Sequence, residues 1–195
     1  VPRPARFDQG TILDAALRVI AAHGPAGMTV EAVAGEMGGH VGSIYYRFPT
    51  KDHLLARLWI RCARTGQAGM IAALSVEDVE TALRTAVLHY PRWAREDRPA
   101  AQVLAAYGRE QLSPHWPDDL AAELATVNDD LAAAVSRFTG SWYGEVTPAR
   151  RRAATLALLD LPGAAIRRYL LAGRPPPSGL DAVILAASRA ALDAA

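Results

Sequence analysis

Three observations predict an all-α fold for this chain. Alanine and leucine, both strong helix formers, supply 40 and 22 of its 195 residues; apolar residues recur at three- and four-residue spacing in nearly every segment; phenylalanine and β-branched clusters are scarce. The length allows a real hydrophobic core without disulfides or structural metal. With 51% hydrophobic and 21% charged residues, and with 15 Gly and 13 Pro scattered along the chain, wholesale disorder is excluded. Cys62 is the single cysteine, which rules out an intrachain disulfide and a Cys-based zinc site and fits a reducing compartment. Residues 1–7 are Pro/Arg-rich, and no run of about 18 apolar residues spans a membrane, so a soluble cytoplasmic protein is expected.

Helices are expected in this order. Ile12, Leu13, Ala16, Leu17 and Ile20 form a helical stripe that Gly24-Pro25 ends. Thr29 caps a two-turn helix carrying Val30, Val33, Ala34 and Met37, closed by Gly38-Gly39. After that tight break Ile44 and Phe48, four residues apart, mark a second short helix. Thr50 caps a long helix bearing Leu54, Leu55, Leu58, Trp59 and Cys62 and running toward Met70 and Leu74. A helix over about 76–97 contains Pro91, a kink or an end, and Pro99 opens a shorter one to about Leu112. The loop 113–117 leads into a stripe of Leu120, Leu124, Val127, Leu131, Val135 and Phe138 that 140–146 breaks. Thr147-Pro148 starts a helix apolar nearly all round, with Leu156, Leu158, Leu159, Leu161, Ile166, Leu170 and Leu171; a Pro-rich loop over 173–179 precedes the last helix, 180–192.

The net charge of +1 points to no polyanionic partner, but its distribution is uneven: residues 1–64 carry +3 and residues 65–195 carry −2. Inside the basic third, two short helices joined by a glycine turn make a candidate helix-turn-helix. With Ile44 and Phe48 turned inward, Gly42, Ser43, Tyr46 and Arg47 are left outward: hydroxyls, a guanidinium and a close-approach glycine, the groups that meet phosphates and base edges. Lys51 follows at the start of the next helix.

The segment from Ile12 to Leu55, above all Thr29-Val30-Glu31-Ala32-Val33-Ala34 and Gly42-Ser43-Ile44-Tyr45-Tyr46-Arg47-Phe48-Pro49-Thr50-Lys51-Asp52-His53-Leu54-Leu55, resembles the DNA-binding domain of TetR-family transcriptional regulators. The resemblance implies a DNA-binding domain over 1–50 and an all-α effector-binding and dimerisation domain over 51–195, with the helix 51–74 connecting them. It implies a homodimer built on the last two helices. Thr29, Ser43, Tyr45 and Lys51 match backbone-contacting positions, whereas His40, Val41, Gly42 and Tyr46 face the groove. Tyr45 has a second reading, a ring packed on the first helix. The family commonly has an apolar residue where this chain has Gly39, and a serine then a polar residue where it has His40 and Val41, so the resemblance carries no operator preference.

In the remaining two-thirds, His89 and Trp93 share one helix face, and with Tyr107, Asn128 and Trp142 they supply flat apolar surfaces with a few polar tips, an expected pocket for a small, mostly apolar effector. Tyr90, Tyr143, His115 and Trp116 belong to the same collection. Arg92, Arg95, Arg98 or Arg109 is a possible clamp for a carboxylate. Each aromatic has the plainer reading of core. Leu156, Leu159, Gly163, Ile166, Leu170, Ile184 and Ala187 are the expected dimer face, with Gly163 permitting close helix approach. Asp160, in an apolar run, pairs with Arg167 or a partner subunit, or faces water. No cofactor and no metal is expected: the His and Cys residues lack ligand spacing. A phosphate loop, nucleophile elbow and His-Glu metal helix are absent, and Ser141, Asp160 and His115 assemble into a triad only on paper. The expected function is a ligand-responsive repressor on a near-palindromic operator; the alternative is an all-α small-molecule-binding enzyme or carrier.

Overall fold

The computed structural model describes residues 8–108 and 118–195, and every regular element among them is helical. They form two compact units: the described parts of Val1–Cys62 and Pro99–Leu124, and Ala63–Arg98 with Ala125–Ala195. Packing therefore groups the start of the long fourth helix with the amino-terminal helices, whereas the sequence-based division falls at residue 50.

In the first unit α1 spans Gln9–His23, where Asp8 caps the amino end by accepting from the Thr11 N–H at 2.7 Å; that bond holds the Asp8 carboxyl below its ordinary pKa. Gly24, at φ +71°, ends the helix, and a 3₁₀ turn, Pro25–Gly27, follows. α2 (Val30–Glu36) begins at Thr29, whose Oγ1 accepts from the Ala32 N–H at 3.1 Å. Its exit explains the double glycine: Gly38 takes φ +60°, its N–H bonds the Gly35 carbonyl, and the Gly39 N–H returns to the Ala34 carbonyl, each at 3.0 Å. This is a Schellman closure, which needs a residue free to adopt the left-handed region. α3 spans Val41–Tyr45, α4 Lys51–Leu74 and α6 Arg98–Ala106, and α7, Asp118–Thr126, lies mostly in this unit. Ile12, Ile20, Met28, Ile44, Phe48, Leu54 and Leu58 form its core, each almost fully buried. At about 1.5–3 kcal/mol per buried large apolar side chain, this core is what holds so short a helix as α3 in place. Residues 109–112, expected to end the sixth helix, and the loop 113–117 with His115 and Trp116 lie outside the described residues, as do Arg3, Arg6 and Arg109.

The second unit contains α5 (Val79–Glu96), α8 (Asp129–Tyr143), α9 (Pro148–Thr155), α10 (Leu161–Leu171) and α11 (Leu180–Asp193). α5 passes through the buried Pro91 without ending. Two expectations are corrected here. The stripe from Leu120 to Phe138 is not one helix: it breaks at residues 127–128, where Asn128 sits at φ −102°, ψ 0° and spends its Oδ1 on the Gln67 amide, 2.7 Å away, instead of capping α8. Gly140, expected to start a break, lies within α8, which continues to Gly144 at φ +78°. The helix opened by Thr147-Pro148 carries a π-turn, Leu156–Asp160, between α9 and α10. Pro162 follows within the first turn of α10. Proline has no N–H for the Leu158 carbonyl and its ring crowds that carbonyl, and one residue earlier the Leu161 N–H bonds the Leu156 carbonyl, a wider turn. α10 and α11 pack on α5, and α9 packs on α8. Among the described residues no helix is long and apolar enough to cross a membrane.

Candidate functional site

Apart from Thr29, the exposed N-cap of α2, the residues expected to meet DNA fall in one short stretch around α3. Ile44 and Phe48 are buried at 1% and 2% exposure and fix its inner face, so the outer face is set by sequence spacing alone. Tyr46 is 81% exposed, the most open large hydrophobic side chain described, and Tyr45 is 44% exposed, which leaves its ring largely outside the core. His40 and Gly42 are exposed, Val41 and Ser43 partly so. The Arg47 guanidinium lies 5.4 Å from the Tyr46 ring centroid, a cation–π pair that orders both side chains beside the helix end. His40 makes no side-chain cap at the start of α3, where the Ser43 N–H bonds the His40 carbonyl at 2.9 Å.

Lys51 is exposed on the first turn of α4, where Thr50 Oγ1 accepts from the His53 N–H at 3.2 Å and fixes the entry of the helix. A cationic side chain at the positive end of a helix suits a phosphate. His53 and Arg57, one turn apart on α4, face Asp119 and Glu123, one turn apart on α7; His53 Nε2 lies 3.0 Å from Asp119 Oδ1 and Arg57 pairs Glu123. The Arg61–Asp14 and Arg18–Glu36 pairs tie α4 to α1 and α1 to α2. These pairs were not read from the sequence; their signal is the four-residue spacing of partners on both helices.

The residues expected to line an effector pocket are not brought together as a group. Tyr107 belongs to the first unit, where its hydroxyl donates to the Pro25 carbonyl at 3.2 Å and its own carbonyl accepts from the Trp59 indole at 2.7 Å. In the second unit His89 and Trp93 do share a face of α5, but they fill space that glycines on α4 leave open. His89 Nε2 donates to the Gly66 carbonyl at 2.7 Å, a Cβ on Gly69 would overlap the His89 ring, and one on Gly66 would stand 3.2 Å from the Trp93 ring. Tyr90 meets both rings, and burial pushes its hydroxyl pKa up to about 12. Trp142 stacks on Phe138 at 5.7 Å with the Arg189 guanidinium 5.0 Å away. Arg95 is committed to Asp181 by two bonds of 3.0 and 2.8 Å. Asn128 alone of the five expected residues lines one of the described grooves, a hollow of about 570 Å³ between α8 and the helix formed by α9, the π-turn and α10. Asp160, exposed, lines the same groove.

Of the expected dimer face, Ile166, Leu170 and Ile184 are buried within the unit at 4–5% exposure. Leu156 is 43% exposed, Leu159 and Gly163 partly so, and Ala187 is open; Leu171 and Val183, at 52% and 63%, lie outside that expected face. Among the described residues no group of three His, Cys, Asp or Glu is placed to hold a metal.

Residues 12–58 match the family model described as bacterial regulatory proteins, tetR family. The fold is similar to a TetR transcription regulator from Haloarcula marismortui (TM-score 0.71, 17% identity, 95% of this chain and 96% of that one). It is also similar to the fatty acid degradation regulator FadR from Bacillus halodurans (0.67, 18%, 93% and 97%) and to the multidrug binding protein EbrR complexed with imidazole (0.60, 25%, 96% and 96%). A search of curated protein sequences finds no match.

Proposed function

We propose that this chain, whose residues 12–58 match the tetR family of bacterial regulatory proteins, acts as a ligand-responsive repressor, a homodimer that a small, mostly apolar effector releases from a near-palindromic operator. In this reading residues 1–50 read DNA, residues 51–195 bind effector and dimerise, and the helix 51–74 joins the two tasks. The observation that carries it is the outer face of α3: two exposed tyrosines, an arginine stacked beside one of them, and Lys51 at the next helix start, over a fully buried Ile44 and Phe48.

Thr29, Ser43, Tyr45 and Lys51 hold the phosphate backbone, while His40, Val41, Gly42 and Tyr46 meet base edges and Arg47 lies outward beside Tyr46 at the DNA. One such helix reads few base pairs, so a twofold dimer is needed, and its two helices address half-sites about 34–36 Å apart. Effector binding changes the population of the conformer with that spacing. DNA selected from a random pool supplies the ligand for the test. Tyr46→Ala should lose preference for the selected site over random DNA. Lys51→Ala should weaken both about equally and lower the magnitude of the salt slope by about one per half-site. Wild-type binding by both variants at several salt concentrations would remove α3 from the groove.

A further inference from the structure

The groove between α8 and the α9–α10 helix has a chemistry that differs from one end to the other. A connection of residues 144–147 folds α9 back along α8, so residues early in α9 lie beside the later turns of α8, and residues near the π-turn lie beside its start. The early α9 residues on the groove are Arg151 and Arg152, both exposed and with no ion pair among the described residues, whereas the neighbouring Arg150 is paired with Glu145. The middle is apolar: Leu131 and Val135 are buried in its floor, and the partly exposed Leu159 stands in its wall. At the far end stand Asn128 and Asp160. Asn128 Oδ1 is taken by Gln67, which leaves the amide N–H groups as donors, and the Asp160 carboxylate accepts. Leu159 and Asp160 both belong to the π-turn. From Asn128 to Val135 the floor runs seven residues, about 10 Å of helix.

We infer that this groove is the effector site and that it takes an apolar carboxylic acid carrying a hydroxyl at the opposite end, the carboxylate on Arg151 and Arg152 and the hydroxyl between Asn128 and Asp160. The inference rests on the ligand-responsive reading above and names its site and ligand class. A guanidinium pair selects a carboxylate over a neutral or cationic head. A hydroxyl answers a donor and an acceptor together at the smallest size. The groove's volume, about 570 Å³, is in the range of small-molecule sites.

The probes are 8-hydroxyoctanoate, octanoate and octan-1-ol, titrated calorimetrically into the full chain without DNA. The two acids should bind saturably below about 1 mM, the hydroxy acid several-fold more tightly, and the alcohol not measurably. Arg151→Gln with Arg152→Gln should weaken both acids at least about tenfold while the melting temperature without ligand holds. Asp160→Ala should bring the hydroxy acid down to octanoate. Equal binding of octanol and octanoate, wild-type affinity in the double arginine variant, or no saturable binding would overturn the inference. So would a shift of the double variant from dimer to monomer in sedimentation, which would make the groove a contact between two copies. Because this titration contains no DNA, its failure leaves the operator test standing, and failure of the operator test leaves this one readable.

Discussion

At the level of single residues, the fit of His89 against α4 is the sharpest case of one side chain deciding a site. The i, i+4 spacing of His89 and Trp93 is legible in the sequence, and both do share a face. What fills the space opposite them is not legible, because Gly66 and Gly69 lie about twenty residues upstream on another helix and read there only as helix-weakening letters. Adding a methyl at Gly69 forces the His89 ring away from the Gly66 carbonyl. Gly69→Ala should therefore cost about 1–3 kcal/mol in denaturant unfolding, and much less in a His89→Ala background, where the ring is gone. A full cost in both backgrounds would show that the helix, not the ring, resists the methyl. Tyr90 gives a pH test at the same cluster. Its folded pKa of about 12 exceeds the ordinary 10, so the neutral hydroxyl stabilises the fold below pH 10 and that contribution is lost as pH rises toward 12. Burial raises the Tyr107 and Tyr143 hydroxyls as well, so phenolate absorbance should rise in stages in an alkaline titration, and Tyr90→Phe should remove the last stage.

At the level of elements, caps and glycines fixed most boundaries in advance. Thr29 and Thr147 cap as their positions predict, and Gly24 and Gly38 take the positive φ their places demand. Gly38→Ala should cost about 1–2 kcal/mol from left-handed backbone alone, with loss of operator affinity only as far as folding is lost. The break at 127–128 was hidden because the apolar spacing of Leu124, Val127 and Leu131 continues across it, so periodicity sees one helix where a polar side chain is drawn to Gln67. The π-turn was hidden because a proline inside a helix is read as a kink, and the repair chosen, one wider turn, depends on packing. Pro162→Ala restores an N–H to the Leu158 carbonyl. The π-turn should then relax to α-helix, shifting Leu159 and Asp160 around the axis; hydrogen exchange at 158–163 and the loss of 8-hydroxyoctanoate selectivity would report it, and unchanged exchange would assign the turn to its neighbours instead of to proline.

For the whole molecule, the all-α class and the helix-turn-helix were legible because local signals agree with each other: short helices, tight glycines, a basic third. Spacing alone does not mark the proposed dimer face. Ile166, Leu170 and Ile184 share apolar stripes with exposed neighbours, and a stripe does not say whether its occupant faces its own unit or a second copy. The exposed members are the better probes of the proposed homodimer. Leu171 on α10 is 52% exposed, and α11 carries Val183 and Ala187 four apart on one face of that helix. Leu171→Arg with Val183→Arg should yield a folded monomer by sedimentation, whereas Ile166→Arg should unfold the unit by burying a charge. A double variant that remains a dimer would move the interface to another face.

The most direct measurement of the central claim is a footprint of the full chain on DNA selected from a random pool, repeated with Tyr46→Ala. The account predicts protection of two inverted half-sites with centres about one helical turn, 34–36 Å, apart, and loss of that pattern in the variant. A footprint without inverted symmetry, or one that survives Tyr46→Ala unchanged, would contradict it.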